Sequence, residues 1–329
     1  MTLPWLEPEQ AALADALAGQ RLGHAPMLLG SPGVGKRALA DWLARRLLCL
    51  QPAGGHPCGR CQSCTLLDTG AHPDHFRLAR LEDKTEILVD QVRAFIASLA
   101  LTPSVSRARV GVIVPADALN RNAANALLKT LEEPADNVWL VLVTDSEDRL
   151  PATVRSRCQR RYVAVPDPAA ALEWLCQRHG DRGAEACRTA LALADGAPLL
   201  ADDWLADAGL EHGLSIRDGL AGVLRCRADE AGLVAEWQQD PATTWAWLAR
   251  FSQMWLRAAL TEPPGVLAAA PVPAATAATR ETLQRCWDRA LQGARLAGRG
   301  VRHDWLLRAW LAEWRRMAGA ESGTLDDQV

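Results

Sequence analysis

Apolar positions in the first half of the chain change their period repeatedly. Between residues 7 and 17 they recur at helical spacing. Met27, Leu28 and Leu29 then form a short unbroken apolar run that stops at Gly30, and helical spacing resumes over residues 37–50. That order predicts helix, strand, loop, helix. Two later runs, residues 110–114 and 138–143, place no charged residue on either face, which predicts strands covered on both sides of a parallel sheet. Between them, residues 120–133 put Leu127, Leu128 and Leu131 on one helical face, with Pro134 as a stop. The alternation predicts a layered α/β domain over residues 1–165.

Past Tyr162, Val163 and Val165 the pattern changes at Pro166, Asp167 and Pro168, and everything beyond has helical period. A break at Asp195-Gly196-Ala197-Pro198 separates short helices from a longer helical region starting near residue 209, where eight of the thirteen tryptophans lie. In its last helix Leu307, Trp310, Leu311 and Trp314 recur at helical spacing and predict an apolar packing face. Residues 263–278, rich in Ala and Pro, read as a surface loop, and residues 321–329 as a frayed tail.

With 329 residues, 49% of them hydrophobic, the chain has material for more than one core. Its 36 basic and 39 acidic residues leave a net charge of -3, so no global field draws it to nucleic acid. The start of the chain has no basic region followed by an apolar core, and no stretch nears the roughly 18 apolar residues of a membrane span. A soluble, cytoplasmic protein with no membrane association is expected. Of nine cysteines four are clustered and five are single (Cys158, Cys176, Cys187, Cys226, Cys286), which suits a metal site plus isolated thiols better than a disulfide framework.

Gly30-Ser31-Pro32-Gly33-Val34-Gly35-Lys36 follows the first predicted strand and opens the next helix, the setting a P-loop needs. Gly30, Gly33 and Gly35 let backbone N–H groups turn toward phosphate oxygens, and Lys36 has the reach for terminal phosphates. The following position should carry a hydroxyl for Mg²⁺, and it is Arg37. The strand ending Val112-Ile113-Val114-Pro115-Ala116-Asp117 has apolar residues where a working ATPase of this type has an Asp for Mg²⁺ and a Glu that activates water. Three electrostatic elements are missing together. Negligible hydrolysis is expected, while phosphate or ATP binding through Lys36 stays open.

Cys49, Cys58, Cys61 and Cys64 are spaced C-x8-C-x2-C-x2-C. Four thiolates at about 2.3 Å suit a tetrahedral Zn²⁺ and leave no open coordination position, so the expected zinc is structural. His56 and His72 lie nearby and are not needed to complete the set. The competing reading is a group of buried or redox-active thiols. Ser156-Arg157-Cys158 sits among Arg155, Arg160 and Arg161, and spacing alone would make it a solvated basic loop.

The run Asn125-Ala126-Leu127-Leu128-Lys129-Thr130-Leu131-Glu132-Glu133-Pro134, followed by Ser156-Arg157-Cys158, closely resembles bacterial clamp-loader subunits of the AAA+ class. With the P-loop and the four-cysteine insert, these motifs span residues 22–162; the helical remainder resembles the family only weakly. The resemblance implies an AAA+ domain at 1–165 with a zinc insert at 49–64, a small helical lid at 166–208 and a helical collar at 209–329. It also implies a hetero-pentamer of one delta, three gamma or tau and one further subunit, which opens a sliding clamp and places it on primed DNA.

In that family gamma and tau keep a P-loop Thr and a strand ending in Asp-Glu, whereas Arg37, Val114 and Pro115 stand here; delta usually lacks the Ser-Arg-Cys motif and the cysteine insert, and both are present. The remaining, non-hydrolysing subunit type is the one implied. The lid arginine that senses the γ-phosphate would fall just after Gly196-Ala197-Pro198, where Leu199 and Leu200 occur, and Thr144 resembles the polar sensor of the central strand. By the same resemblance Arg157, with Ser156 and Cys158 as motif neighbours, is an arginine finger acting in trans on a neighbour's ATP. A guanidinium stays charged and forks to two phosphate oxygens. Two other readings remain: an active gamma-type loader ATPase, opposed by the three substitutions, and a zinc-knuckle nucleic-acid-binding protein. The near-neutral charge and the scarcity of Phe and Tyr oppose the second.

Overall fold

The computed structural model describes residues 3–81, 84–260 and 276–318. Residues 263–275 and the expected tail at 321–329 lie outside these. At the end of the expected loop, Thr276 instead caps a helix, its side chain accepting from the Thr279 N–H. The chain divides into two compact units, Met1–Arg178 with Ala194–Ala201, and His179–Leu193 with Asp202–Val329.

The first unit opens with a 3₁₀ turn at Pro4–Leu6 and continues α1 (Glu7–Ala18), β1 (Pro26–Leu29), α2 (Lys36–Leu48), α3 (Gln62–Asp68), β2 (His75–Leu78), α4 (Val89–Leu99), β3 (Arg109–Ile113), α5 (Arg121–Glu132), β4 (Val138–Thr144), α6 (Ala152–Arg155), β5 (Gln159–Tyr162) and α7 (Pro168–Arg178). The five strands are parallel, in the order β2-β3-β4-β1-β5. The apolar strands β1, β3 and β4 take the centre, where both faces are covered. The polar strands β2 (His-Phe-Arg-Leu) and β5 (Gln-Arg-Arg-Tyr) take the edges, where charged side chains also discourage pairing with other chains.

Val92, Phe95 and Leu99 of α4 and Leu127 and Leu131 of α5 are buried with Leu140 and Leu142 of β4 in one cluster, which continues to Leu150 and Val154 beside α6. Asn120 starts α5 by accepting from the Ala123 N–H at 2.8 Å. A buried polar knot ties the cysteine-bearing insert to the sheet. The Asp74 carboxylate accepts from the N–H groups of Ser104, Val105 and Ser106, while Asp74 N–H donates to His72 Nδ1. His72 Nε2 therefore carries the proton and faces Ser63 and Ser106 Oγ at 2.9 and 3.1 Å, and both hydroxyls donate to the Leu48 carbonyl. Burial holds the His72 pKa down, in keeping with a neutral ring.

The second unit is helical: α8 (Gly183–Leu193), the end of α9 (Pro198–Ala206), α10 (Gly209–Leu224), α11 (Glu230–Trp237), α12 (Pro241–Ala258), α13 (Ala277–Leu296) and α14 (His303–Arg315). Its core is a ladder of rings, Trp204–Trp247–Phe251–Trp255–Trp314–Trp310, with centroids 4.4 to 5.7 Å apart. Their N–H groups find partners where reach allows: Trp310 Nε1 donates to the Cys286 carbonyl at 2.8 Å. Gly293 lets α13 lie directly against the Trp245 ring. Leu307, Trp310, Leu311 and Trp314 form the buried face of α14 that their spacing predicts.

Candidate functional site

Because Leu29 of β1 pairs with Thr144 of β4, the P-loop and Asp145 leave the sheet side by side at its carboxyl edge, where parallel α/β sheets usually hold ligands. Gly35 adopts a left-handed conformation as the residue that caps α2. Here the lysine is held by the protein's own groups. The buried Lys36 ammonium donates to the carbonyls of Gly30 (2.7 Å) and Ser31 (2.6 Å) and lies 2.7 Å from Asp145 Oδ1. An ammonium has three donors, and all three are engaged.

The loop's other faces are covered too. The Leu199 N–H donates to the Gly33 carbonyl at 3.0 Å, and a Cβ on Gly33 would stand 2.6 Å from Leu200. Trp5 Nε1 donates to the Val34 carbonyl at 2.9 Å, and Leu3 and Leu6 lie against Gly35. Arg37, in the position that should carry a hydroxyl, is exposed. Val114 is buried at the end of β3, and the first carboxylate beyond it, Asp117, faces the Thr144 hydroxyl at 3.0 Å and Arg149 at 3.6 Å.

Arg157 is at the other end of the sheet. Strand β5 runs parallel to β1 with Gln159 level with Pro26, so the Ser156-Arg157-Cys158 turn enters at the amino edge while Gly30 leaves at the carboxyl edge. Four strand residues, about 13 Å, separate the two levels. The turn is anchored from below. Val154 is buried, the half-buried Cys158 packs against the sheet cluster, and Gln159 grips the chain before β1, accepting from Gly23 N–H at 2.8 Å and donating to the Arg21 carbonyl at 3.2 Å. Burial pushes the Cys158 thiol up to about 11, so it packs as a neutral group. Arg157 itself is partly exposed, bound through Nε to Glu132 Oε1 at 2.7 Å and through Nη1 to the Thr153 carbonyl at 2.9 Å. Ser156 donates to the Thr153 carbonyl and presents its oxygen to Nη1 at 3.4 Å.

The four clustered cysteines come together as their spacing predicts: their sulfurs all lie within 4.8 Å of one another, and those of Cys49 and Cys61 are 3.9 Å apart. A tetrahedron with metal–sulfur bonds of about 2.3 Å has edges of about 3.8 Å, so the set fits one metal ion such as Zn²⁺. Cys49 stands at the end of α2, Cys61 caps α3, and Cys64 lies one turn inside it. The thiols do not ionise alike. Burial opposes ionisation at Cys61, yet hydrogen bonds from the Cys64 and Leu50 N–H groups outweigh it and bring that thiol to about 6, whereas burial and the neighbouring sulfurs push Cys64 up to about 12. A divalent cation removes the repulsion that keeps four thiolates from coexisting. His72 belongs to the polar knot, not to this set.

Sequence reasoning missed Asp145, the partner of Lys36, and the bond from Glu132 to Arg157. A carboxylate just past the strand that carries Thr144 was the available signal for the first. For the second there was only the shared motif, since contact across 25 residues depends on how α5 and α6 pack.

Residues 7–166 match a protein family described as DNA polymerase III, delta subunit. A DNA polymerase III subunit delta' of Pseudomonas aeruginosa is 36% identical over 302 residues, covering 91% of this chain and 89% of the relative. A DNA polymerase III subunit tau/gamma of Haemophilus influenzae is 35% identical over 156 residues, 47% of this chain and 22% of its own. Among solved structures, a DNA polymerase III gamma subunit-related protein of Thermotoga maritima shares the fold, with a TM-score of 0.51 and 16% identity over 94% of this chain and 99% of that one.

Proposed function

Since this chain belongs to the family of DNA polymerase III delta-prime subunits, clamp-loader proteins of the AAA+ class, we propose that it binds no ATP productively itself and lends Arg157 to ATP held by a neighbouring gamma or tau subunit. The placement of two cationic groups on one sheet carries this reading. Lys36, at the carboxyl edge, has all its donors committed to the protein. Arg157, at the amino edge, is accessible and about 13 Å in level from its own P-loop, so the phosphate it meets belongs to another chain.

In that role a fixed, always-charged guanidinium neutralises charge developing on the γ-phosphate. The hydroxyl and both carboxylates that would prepare Mg²⁺ and water in this chain are absent at Arg37, Val114 and Pro115. Cys49, Cys58, Cys61 and Cys64 would hold a structural Zn²⁺ that cross-links the insert to the end of α2 and takes no part in chemistry. Residues 1–165 then serve as the AAA+ domain, 166–208 as lid and 209–329 as collar, in a cytoplasmic pentamer with delta and gamma or tau that acts on clamp and primed DNA. Among the described residues no helix is long and apolar enough to cross a membrane.

Mixing the purified chain with cognate gamma or tau and delta tests the proposal. A stable pentamer with DNA-stimulated ATPase that requires this subunit, alongside no turnover by the subunit alone, is expected. ATP turnover by the isolated chain would instead identify a gamma-type ATPase, and salt-sensitive DNA binding by it a zinc-knuckle protein.

A further inference from the structure

Glu132 is the last residue of α5 and Glu133 its C-cap, so two carboxylates sit at the negative end of a helix dipole. Glu132 is therefore placed against its own helix, and what it gains is the Arg157 guanidinium. Both partners stand on fixed backbone. Leu131 is buried and its carbonyl lies 3.1 Å from His24 Nε2, while Val154 and Cys158 pin the arginine's turn to the sheet cluster. The contact uses one edge of the guanidinium: Nε and Nη2 both reach Glu132 Oε1, and Nη1 donates to the Thr153 carbonyl. Five N–H donors are available in a planar fork: Glu132 takes the Nε–Nη2 edge, the Thr153 carbonyl and Ser156 Oγ lie against Nη1, and the second N–H of Nη2 is not used by these contacts.

We propose that Glu132 is a positioning residue for Arg157: its carboxylate clamps the Nε–Nη2 edge and so holds the guanidinium in one orientation toward the neighbour's γ-phosphate. This rests on the reading of Arg157 as a finger. With 48% of the Glu132 side chain and 34% of the Arg157 side chain exposed, the pair contributes little to folding. Its effect is orientation, which matters at the transition state more than in binding.

The test is a double-mutant cycle in the reconstituted pentamer, with Glu132→Ala, Arg157→Ala and the double variant, following clamp loading and DNA-stimulated ATPase as a function of ATP. Glu132→Ala is expected to lower the loading rate at saturating ATP by a factor on the order of two to five, the worth of one exposed charge pair. The apparent KM for ATP and the thermal midpoint should stay unchanged, and the variant should have no further effect when Arg157 is already Ala. Glu132→Gln, which keeps an oxygen acceptor at the same reach, should recover part of the rate. If Arg157→Ala is impaired while Glu132→Ala loads at or above the wild-type rate, Glu132 is only a resting partner and the positioning role is overturned. An equal loss from Glu132→Ala with and without Arg157 overturns it as well. Wild-type loading by Arg157→Ala would remove the finger itself, a separate failure.

Discussion

The two edges of the first unit's parallel sheet carry the same kind of chemistry and treat it in opposite ways. At the carboxyl edge a phosphate-binding loop is complete in its glycines and its lysine, yet Lys36 is turned onto Gly30, Ser31 and Asp145, with Leu199, Leu200 and Trp5 packed over the loop. At the amino edge a partly exposed guanidinium stands on a turn anchored by the buried Val154 and the half-buried Cys158. At the P-loop the lysine's three donors are met from within the chain. An arginine acting on another chain has to stay accessible, and only the turn beneath it can be rigid.

The change expected to separate the edges most is Arg157→Ala. On the proposed finger role, its loss should cost on the order of 10³ or more in rate at the neighbouring site. In the proposed pentamer the other gamma or tau sites would draw on other neighbours, so part of the ATPase should persist and clamp loading should suffer more than total turnover. Stability should stay within about 0.5 kcal/mol of wild type, since Arg157 is a surface residue. Arg157→Lys should recover little, because an ammonium keeps the charge and loses the fork. Steady-state ATPase and loading assays on the pentamer, with a thermal melt of the free chain, check all three outcomes.

Cys61→Ser comes next and acts on the insert at the end of α2, which Ser106 ties to the chain entering β3 at the amino edge, on the side of the sheet away from β5. It removes one of the four candidate ligands, so bound zinc should fall from one per chain to near zero. Structural zinc contributes several kcal/mol or more to small modules, and the thermal midpoint should drop accordingly. Hydrogen exchange should rise in α3 and the end of α2, where Cys49, Cys61 and Cys64 sit. The Arg157 turn should keep its protection, because its anchors are Val154, Cys158 and Gln159. Metal analysis and exchange mass spectrometry would show whether the cysteine insert and the Arg157 turn respond separately.

What the sequence made legible follows a physical line. The central strands, the helix at Arg121–Glu132 and the four-cysteine cluster carry their signals locally, in an apolar run, a helical stripe or a ligand spacing. Strands β2 and β5 escaped notice because an edge strand buries too little to need an apolar run; Gln159-Arg160-Arg161-Tyr162 has none. Yet the pairing of β5 with β1 is what puts Arg157 and the P-loop at opposite edges. The motif at Gly30–Lys36 was equally plain, while the state of Lys36 was not, because Asp145 and Leu199 reach it only through the fold.

Lys36→Met therefore tests the closed edge. In a working ATPase the change would delete a phosphate ligand; here it should cost about 1–3 kcal/mol of stability, from the part-buried, charge-assisted bonds to Gly30, Ser31 and Asp145 that methionine cannot make. Clamp loading by the assembled complex should stay at the wild-type rate. A loading defect in a normally folded variant would mean that Lys36 still serves a nucleotide, and the contrast between the edges would fail.

The smallest effect, and the one that sharpens the contrast furthest, is expected of Arg37→Thr. The substitution restores the hydroxyl a P-loop uses for Mg²⁺ and removes an exposed cation, so by motif alone it repairs the site. Three obstacles remain in place. Val114 and Pro115 still stand where the metal-supporting and water-activating carboxylates belong. Lys36 still has its three donors committed, and Leu200 still lies over Gly33. One Mg²⁺ ligand beside a lysine already committed to the chain should give no ATP turnover above background and no nucleotide-dependent shift in thermal midpoint. Turnover by this single variant would show that the site is one residue from activity, and that the packing over the loop yields readily to nucleotide.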